Sequence, residues 1–467
     1  MDRRQFLIRA GGIASFSAAG DIVRAQTSNQ GPALVEAVLE ARETWATLAG
    51  RPAQLYTYNG QTPGPIIEAR AGDTIRISFR NALSETTNLH FHGLHVSPAG
   101  NADNSFLEVP SGESITYELP IPKAHPSGMF WYHPHMHGSV ARQVSRGMAG
   151  LILIRGEFDD QPEVRDTPEY FMVLQDFDIS EAGLVNEPTT AEKARGREGP
   201  LVTVNGKVNP TVPLVSNGWT RLRLLNASSS RFYRLRLEGH RFTITGVDGG
   251  LVTTPFETEE LLLVPGQRVD AFVRGEVPSG VFRLLNLPYD RFGAMGGGMN
   301  SFIVGRLAME PLAVASFEYT ASAQTQWSMP DRLAPIEILS APQVRRTFRF
   351  GMGMGMGMSA GGFTINGRSF DPNRVDTRVA LGSVEDWDLI NASAMDHPFH
   401  IHTNAFQIVS GADEAQSTWR DVVLVPAGRS VRIRLQFSDY IGRAMYHCHI
   451  LDHEDLGMMG IVDVVSV

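Results

Sequence analysis

Thr74-Ile-Arg-Ile-Ser-Phe-Arg-Asn81, with Tyr58-Asn-Gly60 ahead of it, carries the pattern that sets the fold. Its apolar and polar residues alternate, which predicts a β-strand with one buried face. The same order, an Asn-Gly pair and then an alternating segment, recurs twice: Val204-Asn-Gly206 with Thr220–Asn226, and Ile365-Asn-Gly367 with Val384–Asn391. Three copies indicate a repeated β-sheet unit.

The spacing of the repeat predicts three domains. The Asn-Gly pairs lie 146 and 161 residues apart, which is the length of one all-β sandwich each. We therefore expect an all-β chain with β-sandwich domains over residues 35–160, 165–312 and 345–467. The proline-containing stretch 159–168 and the irregular region 313–344 are the predicted connectors.

Charge and composition exclude a nucleic-acid binder. The chain of 467 residues has a formal net charge of −9, and its only lysines are Lys123, Lys193 and Lys207. Binding to phosphates needs a dense basic patch, so a small or cationic substrate fits this chain better. No segment beyond the N-terminus approaches the ~20 apolar residues of a membrane span.

The N-terminus has the features of an export signal. Arg3-Arg4 precedes Phe6-Leu7 and a modestly apolar stretch from Gly11 to Val23. This order is typical of a twin-arginine leader, and we expect residues 1–25 to be removed by cleavage after Ala25. The expected location is the periplasm or the exterior, reached through the twin-arginine export machinery.

Histidines cluster in four short segments that hold eleven of the fourteen in the chain. On a strand, residues i and i+2 point to the same face, so each His-x-His pair presents two imidazoles side by side. Two segments lie in the first predicted domain and two in the third, so four pairs can surround a metal cluster. Neutral imidazole suits copper. The eight paired histidines are His90, His92, His133, His135, His400, His402, His447 and His449.

Cys448 is the single cysteine of the chain, so it cannot form an internal disulfide. Strand alternation aims its sulfur away from the face that carries His447 and His449, so two metal sites can share one strand. A blue-copper centre needs two histidines, one thiolate and often a weak methionine. The chain offers the set His397, Cys448, His453 and Met458.

With these motifs the sequence resembles the multicopper oxidases, the family of laccases, ascorbate oxidase and bacterial cuprous oxidases, across nearly the whole chain after the leader. The resemblance implies three consecutive cupredoxin-like Greek-key domains and four copper ions per chain. It places the type 1 copper at His397, Cys448, His453 and Met458, the type 2 copper at His90 and His400, and the type 3 pair at His92, His133, His135, His402, His447 and His449.

The resemblance also implies that a small reducing substrate gives electrons singly at the type 1 site, and that O₂ is reduced to two waters at the other three coppers. That reaction consumes four protons, so a buried acid is expected near the cluster. Glu454 matches the acidic residue of the family on one side. Asp103 is the candidate on the other side, although Asn104 is next to it and the register of this segment could favour either residue. The alternative for Glu454 is an acid on the protein surface.

Methionines suggest a route for cuprous ion, because thioethers are soft ligands that suit Cu(I). The tract Gly351–Met358 reads as a hairpin tip between two strands, and the alternative for it is a mobile loop without a ligand role. Ser393 stands where cuprous oxidases tend to carry an acid, which weakens this assignment. The candidate methionines are Met295, Met299, Met352, Met354, Met356, Met358 and Met395.

Three other functions stay open at this point. A laccase acting on phenols or aromatic amines needs no methionine route. Some members of the family keep the fold without copper and serve as structural or division-associated proteins. A copper nitrite reductase shares the fold but needs no paired type 3 histidines.

We expect a monomer. His95, His125, His137 and His240 match no ligand position, and the first and third of these are candidates to orient the ligands.

Overall fold

The computed structural model describes residues 22–24, 31–276, 279–292, 310–323, 327–353, 362–411 and 418–466. Strands of these residues form six sheets, two from each third of the chain, and each pair of sheets forms one sandwich. The prediction of an all-β fold with three cupredoxin-like sandwiches is confirmed. No helix within these ranges is long and apolar enough to cross a membrane.

The first sandwich spans nine strands and one short helix. In chain order they are β1 (Ile22–Arg24), β2 (Leu34–Leu48), β3 (Arg51–Tyr58), β4 (Ile66–Arg70), β5 (Thr74–Asn81), β6 (His90–His92), β7 (Ser114–Pro120), β8 (Gly128–His133), α1 (Val140–Ser145) and β9 (Gly150–Arg155). One sheet has the order β1-β4-β9-β8-β6 and the other β3-β2-β5-β7.

The second sandwich follows two helical turns, α2 (Glu157–Asp160) and α3 (Pro162–Arg165). Its elements are β10 (Glu169–Phe177), α4 (Thr190–Arg195), β11 (Leu201–Val204), β12 (Thr211–Ser216), β13 (Trp219–Asn226), β14 (Tyr233–Leu237), β15 (Phe242–Val247), β16 (Gly250–Thr258), β17 (Glu260–Leu263), β18 (Arg268–Arg274), β19 (Val281–Leu287) and β20 (Leu312–Ser322). The sheet orders are β11-β10-β13-β18-β15-β16 and β12-β20-β19-β14-β17.

The third sandwich has the same plan. It contains β21 (Val344–Met352), β22 (Phe363–Ile365), β23 (Thr377–Ala380), β24 (Val384–Asn391), β25 (His397–Ile401), β26 (Phe406–Ser410), β27 (Val422–Val425), β28 (Ser430–Gln436), β29 (Gly442–Cys448), α5 (Leu451–Asp455) and β30 (Met459–Val465). The sheet orders are β22-β21-β24-β28-β26 and β23-β30-β29-β25-β27.

The Asn-Gly repeat forms the same turn in all three sandwiches. Asn59, Asn205 and Asn366 have φ of 56°, 51° and 54°, and the glycine after each also has positive φ. Two consecutive residues with positive φ make a type I′ turn, which Asn-Gly favours. Each asparagine amide also bonds the main chain of the neighbouring strand at both of its atoms. The repeat in the sequence therefore corresponds to the same structural turn in each sandwich.

One predicted boundary needs correction, and part of the expected leader pairs with the first sandwich. β20 pairs with β12 and β19, so the second sandwich continues to Ser322 and takes the start of the region 313–344 that was predicted to be a connector. β1 pairs in parallel with β4, and the Arg24 guanidinium donates to both carboxylate oxygens of Glu68 at 3.1 and 3.2 Å. Three residues of the expected leader thus complete a sheet edge. The rest of the leader lies outside the described residues.

Candidate metal centre

The first sandwich supplies two histidine pairs from adjacent strands. β6 pairs with β8 so that His90 lies opposite His133, while Phe91, between His90 and His92, turns into the apolar core. His135 follows two residues after His133, and its backbone N–H donates to Asn88 Oδ1 at 2.7 Å. Strand alternation thus places His90, His92 and His133 on one side of this sheet, and His135 joins them from the segment directly after β8.

The third sandwich supplies the other two pairs in the same way. β25 pairs with β29 so that His400 lies opposite His447, and Phe399 lies opposite Cys448. Phe399 and Cys448 belong to the apolar core of this sandwich, whereas the histidines on either side of the cysteine face away from that core. One strand thus serves two sites on its two faces.

The eight paired histidines meet between the first and third sandwiches, and all are buried. Their ligand nitrogens form three groups, each with its atoms within 4.8 Å of one another: His90, His92 and His400; His92, His133 and His449; His135, His402 and His447. Each group draws on both sandwiches, so the cluster exists only where the two are docked.

Backbone carbonyls select the tautomers at the cluster. The Nδ1 atoms of His133, His400 and His447 lie 2.8, 2.8 and 3.1 Å from the carbonyl oxygens of Pro134, Asp421 and Cys448. A carbonyl only accepts, so Nδ1 carries the hydrogen and Nε2 presents its lone pair to the cluster. Burial lowers the pKa of these three histidines, and it also lowers the pKa of His135, to about 4. The imidazoles are neutral, the form that binds metal.

The nitrogen spacings fit metal ions. The Nε2 atom of His447 lies 3.3 Å from that of His135 and 3.2 Å from that of His402, and the Nε2 atoms of His90 and His400 lie 3.4 Å apart. Bonds of about 2.0–2.1 Å from nitrogen to a tetrahedral ion put two ligands about 3.3 Å apart. Within the described ranges, both ring nitrogens of buried His449 find no hydrogen-bond partner. Such orphaned nitrogens are what an ion would satisfy.

A second group lies on the core side of β29. The Cys448 sulfur is 3.4 Å from His397 Nδ1 and 3.8 Å from His453 Nδ1, and these two nitrogens are 3.4 Å apart. Met458 is buried, and its carbonyl accepts from the Cys448 backbone N–H at 3.0 Å. Burial raises the pKa of the Cys448 thiol and lowers that of His397 to about 3. Two neutral imidazoles and a sulfur fit a blue-copper ion, which would hold the sulfur as thiolate.

Asp103, one of the two predicted acids, lies against the cluster. Its Oδ1 atom is 2.9 Å from His90 Nδ1 and accepts from the Phe91 backbone N–H at 2.9 Å. Burial raises the pKa of this carboxyl to about 8. Asn104 instead bonds Gly100 and Phe106 within its own loop. Of the two neighbours, Asp103 is thus the one that contacts a cluster histidine.

Glu454, the other predicted acid, is fully buried on α5, which is inconsistent with a surface acid. Its Oε2 atom lies 2.9 Å from His447 Nδ1 and its Oε1 atom 3.4 Å from His135 Nε2. His447 Nδ1 donates to the Cys448 carbonyl instead, so the carboxyl has no hydrogen-bond partner among the described residues. Burial raises its pKa to about 7.

Sequence reasoning missed an ion pair that supports the cluster. Arg268, the first residue of β18 in the second sandwich, donates to both carboxylate oxygens of Asp421 at 2.6 Å each. The same carboxylate is 3.0 Å from His92 Nε2, and the Asp421 carbonyl accepts from His400. No motif marks either residue, because the two meet only through docking of sandwiches.

The remaining predicted residues have mixed outcomes. Met395 is fully buried, and Met352 ends β21 opposite Phe363. Ser393 bonds His397 Nε2 at 2.8 Å, and His95 bonds the carbonyl next to His402 at 2.7 Å. The other predicted methionines, Met295, Met299, Met354, Met356 and Met358, lie outside the described residues.

Comparison with known proteins gives one consistent result. Three family models, each described as multicopper oxidase, match residues 40–158, 168–304 and 341–466. Multicopper oxidase mco of Staphylococcus aureus is 29% identical over 421 residues, 88% of this chain and 83% of that protein. Cell division protein FtsP of Escherichia coli K12 is 28% identical over 460 residues, 91% of this chain and 90% of its own.

Solved structures agree with the sequence relatives. A multicopper oxidase of Campylobacter jejuni, described as a metallo-oxidase, is 31% identical with a TM-score of 0.81 and 95% coverage of both chains. A laccase-like multicopper oxidase of Ochrobactrum sp., described as acting on lignin model compounds and lignosulfonate, is 30% identical with a TM-score of 0.80, over 96% of this chain and 99% of that one.

Proposed function

Because the chain belongs to the multicopper oxidase family, we propose that it couples four one-electron oxidations of a reducing substrate to the reduction of O₂ to two waters. The observation that supports this most is the convergence of eight buried, neutral histidines from two sandwiches beside a separate His-Cys-His group. Burying so many polar rings is costly, and ring nitrogens of His92, His133, His135 and His449 have no hydrogen-bond partner among the described residues, so a metal ion would satisfy what a purely structural protein leaves unpaired.

We assign four copper ions to these residues. His397, Cys448, His453 and Met458 would hold the type 1 ion, and His90 and His400 would hold the type 2 ion. His92, His133 and His449 would hold one type 3 ion, and His135, His402 and His447 would hold the other. Bound copper would supply reversible one-electron storage, and the Cys448 strand would connect the group on its core side to the cluster on its other face.

Asp103 and Glu454 serve as proton donors on the two sides of the cluster. Burial raises the pKa of these carboxyls to about 8 and about 7, so each can take up and release a proton near neutral pH. Asp103 also fixes the His90 ring through Nδ1. A carboxyl without other partners, such as that of Glu454, can turn toward the cluster to deliver its proton.

For the substrate we propose phenolic or aromatic amine donors together with Cu(I). The structural relatives are described as a metallo-oxidase and as an oxidase of lignin model compounds, which supports both classes. The buried Met395 beside His397 supports the cuprous route, whereas the Ser393 hydroxyl at the outer nitrogen of His397 lacks the charge that would attract a cation. A laccase without a role in copper tolerance is the alternative.

A non-catalytic structural protein is the second candidate, and the specific observation for it is the similarity to proteins named cell division protein FtsP. The ligand residues argue against it, because every histidine and the cysteine that the family uses are present and grouped. We further propose a monomer exported to the periplasm through a twin-arginine leader.

The test is to purify the chain with copper and to measure copper per chain, the blue absorption band and O₂ uptake with Cu(I), a phenol and an organic dye. Four coppers, a blue band and O₂ uptake are expected. Two coppers would indicate a nitrite-reductase-like site. A loaded protein with neither blue colour nor O₂ uptake would leave the structural candidate.

A further inference from the structure

In both imidazoles of the type 1 group, Nδ1 faces Cys448 and Nε2, the outer nitrogen, is hydrogen-bonded to another protein atom. His453 Nε2 donates to the Ala194 carbonyl at 3.1 Å, and His397 Nε2 bonds the Ser393 hydroxyl at 2.8 Å. The Phe363 ring stacks on the face of His453, with centroids 4.3 Å apart. Neither histidine has exposed surface. A donor in solvent therefore cannot touch either imidazole in this conformation.

The two covering groups differ in depth. Ser393 is itself buried and lies among buried Asn391 and Met395. Ala194 belongs to α4, a six-residue helix that buries none of its residues. Among the described residues, α4 is therefore the thin layer that lies over the Nε2 edge of His453. Electron transfer weakens steeply with distance, so the side of Ala194 is the shorter way in.

Arg197 binds the segment of residues 194–197 to the ligand loop, the stretch of residues 449–453 that carries His453. Its Nε lies 3.1 and 3.0 Å from the two carboxylate oxygens of Asp452, its Nη2 donates at 2.7 Å and its backbone N–H at 2.9 Å to the same carboxylate. A further Nη1–H donates to Ser145 at 3.0 Å. Asp452 directly precedes His453, so this one carboxylate fixes the Ala194 carbonyl relative to the ring. Such bidentate contacts define geometry as well as energy.

Gly196 makes the close approach possible. It has φ of +76°, and a Cβ placed there would lie 2.7 Å from Ile450 Cγ2 and 2.8 Å from Ser230 Cβ. Any other side chain would push residues 194–197 away from the ligand loop.

We propose that Arg197 is the positioning residue that holds the Ala194 carbonyl over the Nε2 edge of His453, keeps donors from direct contact with that edge of the type 1 group, and so decides which donors are accepted. The proposal rests on the oxidase function. A phenol that docks on α4 loses one electron to this edge and its proton to water and leaves as a phenoxyl radical; four such events with four protons reduce one O₂ to two waters.

The test uses the copper-loaded chain and the variants Arg197→Ala and Arg197→Lys. The matched control is Arg283→Ala, which removes a similar arginine contact with Glu238 in the second sandwich. Trypsin cleavage after Lys193 or Arg195, mapped by mass spectrometry, reports how firmly the segment is held. We expect cleavage about tenfold faster in Arg197→Ala, partial recovery in Arg197→Lys and no change in the control.

Donor selection is the second readout. Once the carbonyl has moved, a small phenol can bond His453 Nε2 itself, whereas hydrated ferrocyanide gains no contact. The ratio of kcat/KM for phenol over ferrocyanide should rise at least about threefold, with the blue band unchanged. Gly196→Ala, which keeps Arg197 but displaces the segment, should raise the same ratio and decides the matter if Arg197→Ala does not fold.

Two results would overturn the proposal. Faster cleavage with an unchanged donor ratio would show that the segment is off the entry route, and unchanged cleavage would show that Arg197 does not hold it. Absence of blue colour and of O₂ uptake in the unaltered protein would instead refute the proposed oxidase function, so the two failures are distinguishable.

Discussion

The cluster of eight histidines and the group around Cys448 are assembled in opposite ways. The cluster takes four rings from the first sandwich and four from the third, and a second-sandwich arginine supports it. The Cys448 group takes all its residues from the third sandwich, within the span from His397 to Met458. The cluster thus depends on how the sandwiches dock, whereas the other group depends on one local fold.

The largest expected effect separates the two sites at their shared strand. Cys448→Ser should remove the blue band and all turnover while the cluster keeps its copper, because the serine oxygen is a poor substitute for thiolate and the histidines face the other way. Copper analysis and absorption spectra give the measurement, with Ser316→Ala in the second sandwich as an unrelated control. Turnover that survived would refute the proposed electron route through this residue.

Arg268→Ala should break the cluster and spare the Cys448 group. It leaves the buried Asp421 carboxylate unpaired beside His92, at a cost of about 3–5 kcal/mol. We expect copper to fall toward the single type 1 ion with the blue band retained.

Arg434→Ala is the matched control for that variant, since its pair with Asp386 at 2.7 and 3.1 Å is partly exposed and contributes about 1 kcal/mol or less. Equal copper loss in both variants would contradict a special role for Arg268.

The copper-free chain should lose stability as pH falls below 6.5. Burial lowers the pKa values of the cluster histidines and of His397, so the unfolded chain binds protons that the folded chain does not. Each such histidine contributes stability that is present above pH 6.5 and lost below it, by about 1.4 kcal/mol per pH unit. The raised pKa values of Asp103 and Glu454 act in the opposite direction, but the histidines outnumber these acids.

Urea unfolding between pH 7 and 5 measures this effect. His449→Leu should reduce the slope by the share of one histidine, while His95→Leu, whose ring is partly exposed, is the control. A copper-free chain equally stable at both pH values would show that these rings are protonated when folded.

The smallest expected effect concerns the methionine tract. Deleting residues 351–358 should lower the oxidation rate of Cu(I) severalfold more than that of an organic dye, because only the metal uses thioether contacts. Parallel kinetics with both donors give the measurement. Equal losses would favour the loop without a ligand role.

Much of the fold and of the grouping follows from local periodicity. The i, i+2 rule places His447 and His449 on one face and Cys448 on the other, because strand geometry depends on neighbours along the chain. The three Asn-Gly turns could be predicted for the same reason. The copper assignments themselves stay predictions.

What the sequence did not reveal arises between sandwiches. Arg268 reaches Asp421 across 153 residues, and Ala194 reaches His453 across 259. Neither contact has a local signature, since a backbone carbonyl or an ordinary strand arginine is chosen only by how domains dock. The extension of β20 was missed because its alternation continues past the predicted end.

The short strand β1 would give the proposed leader a role in timing. The bond after Ala25 is one residue beyond a strand that is hydrogen-bonded to β4, and Arg24 is tied to Glu68. A peptidase needs extended, unpaired chain at its cleft, so cleavage at the proposed site would compete with the pairing of β1 and β4. Release of the leader would then require β1 to separate from β4. The mature protein would have an unpaired β4 edge to which another strand could bind.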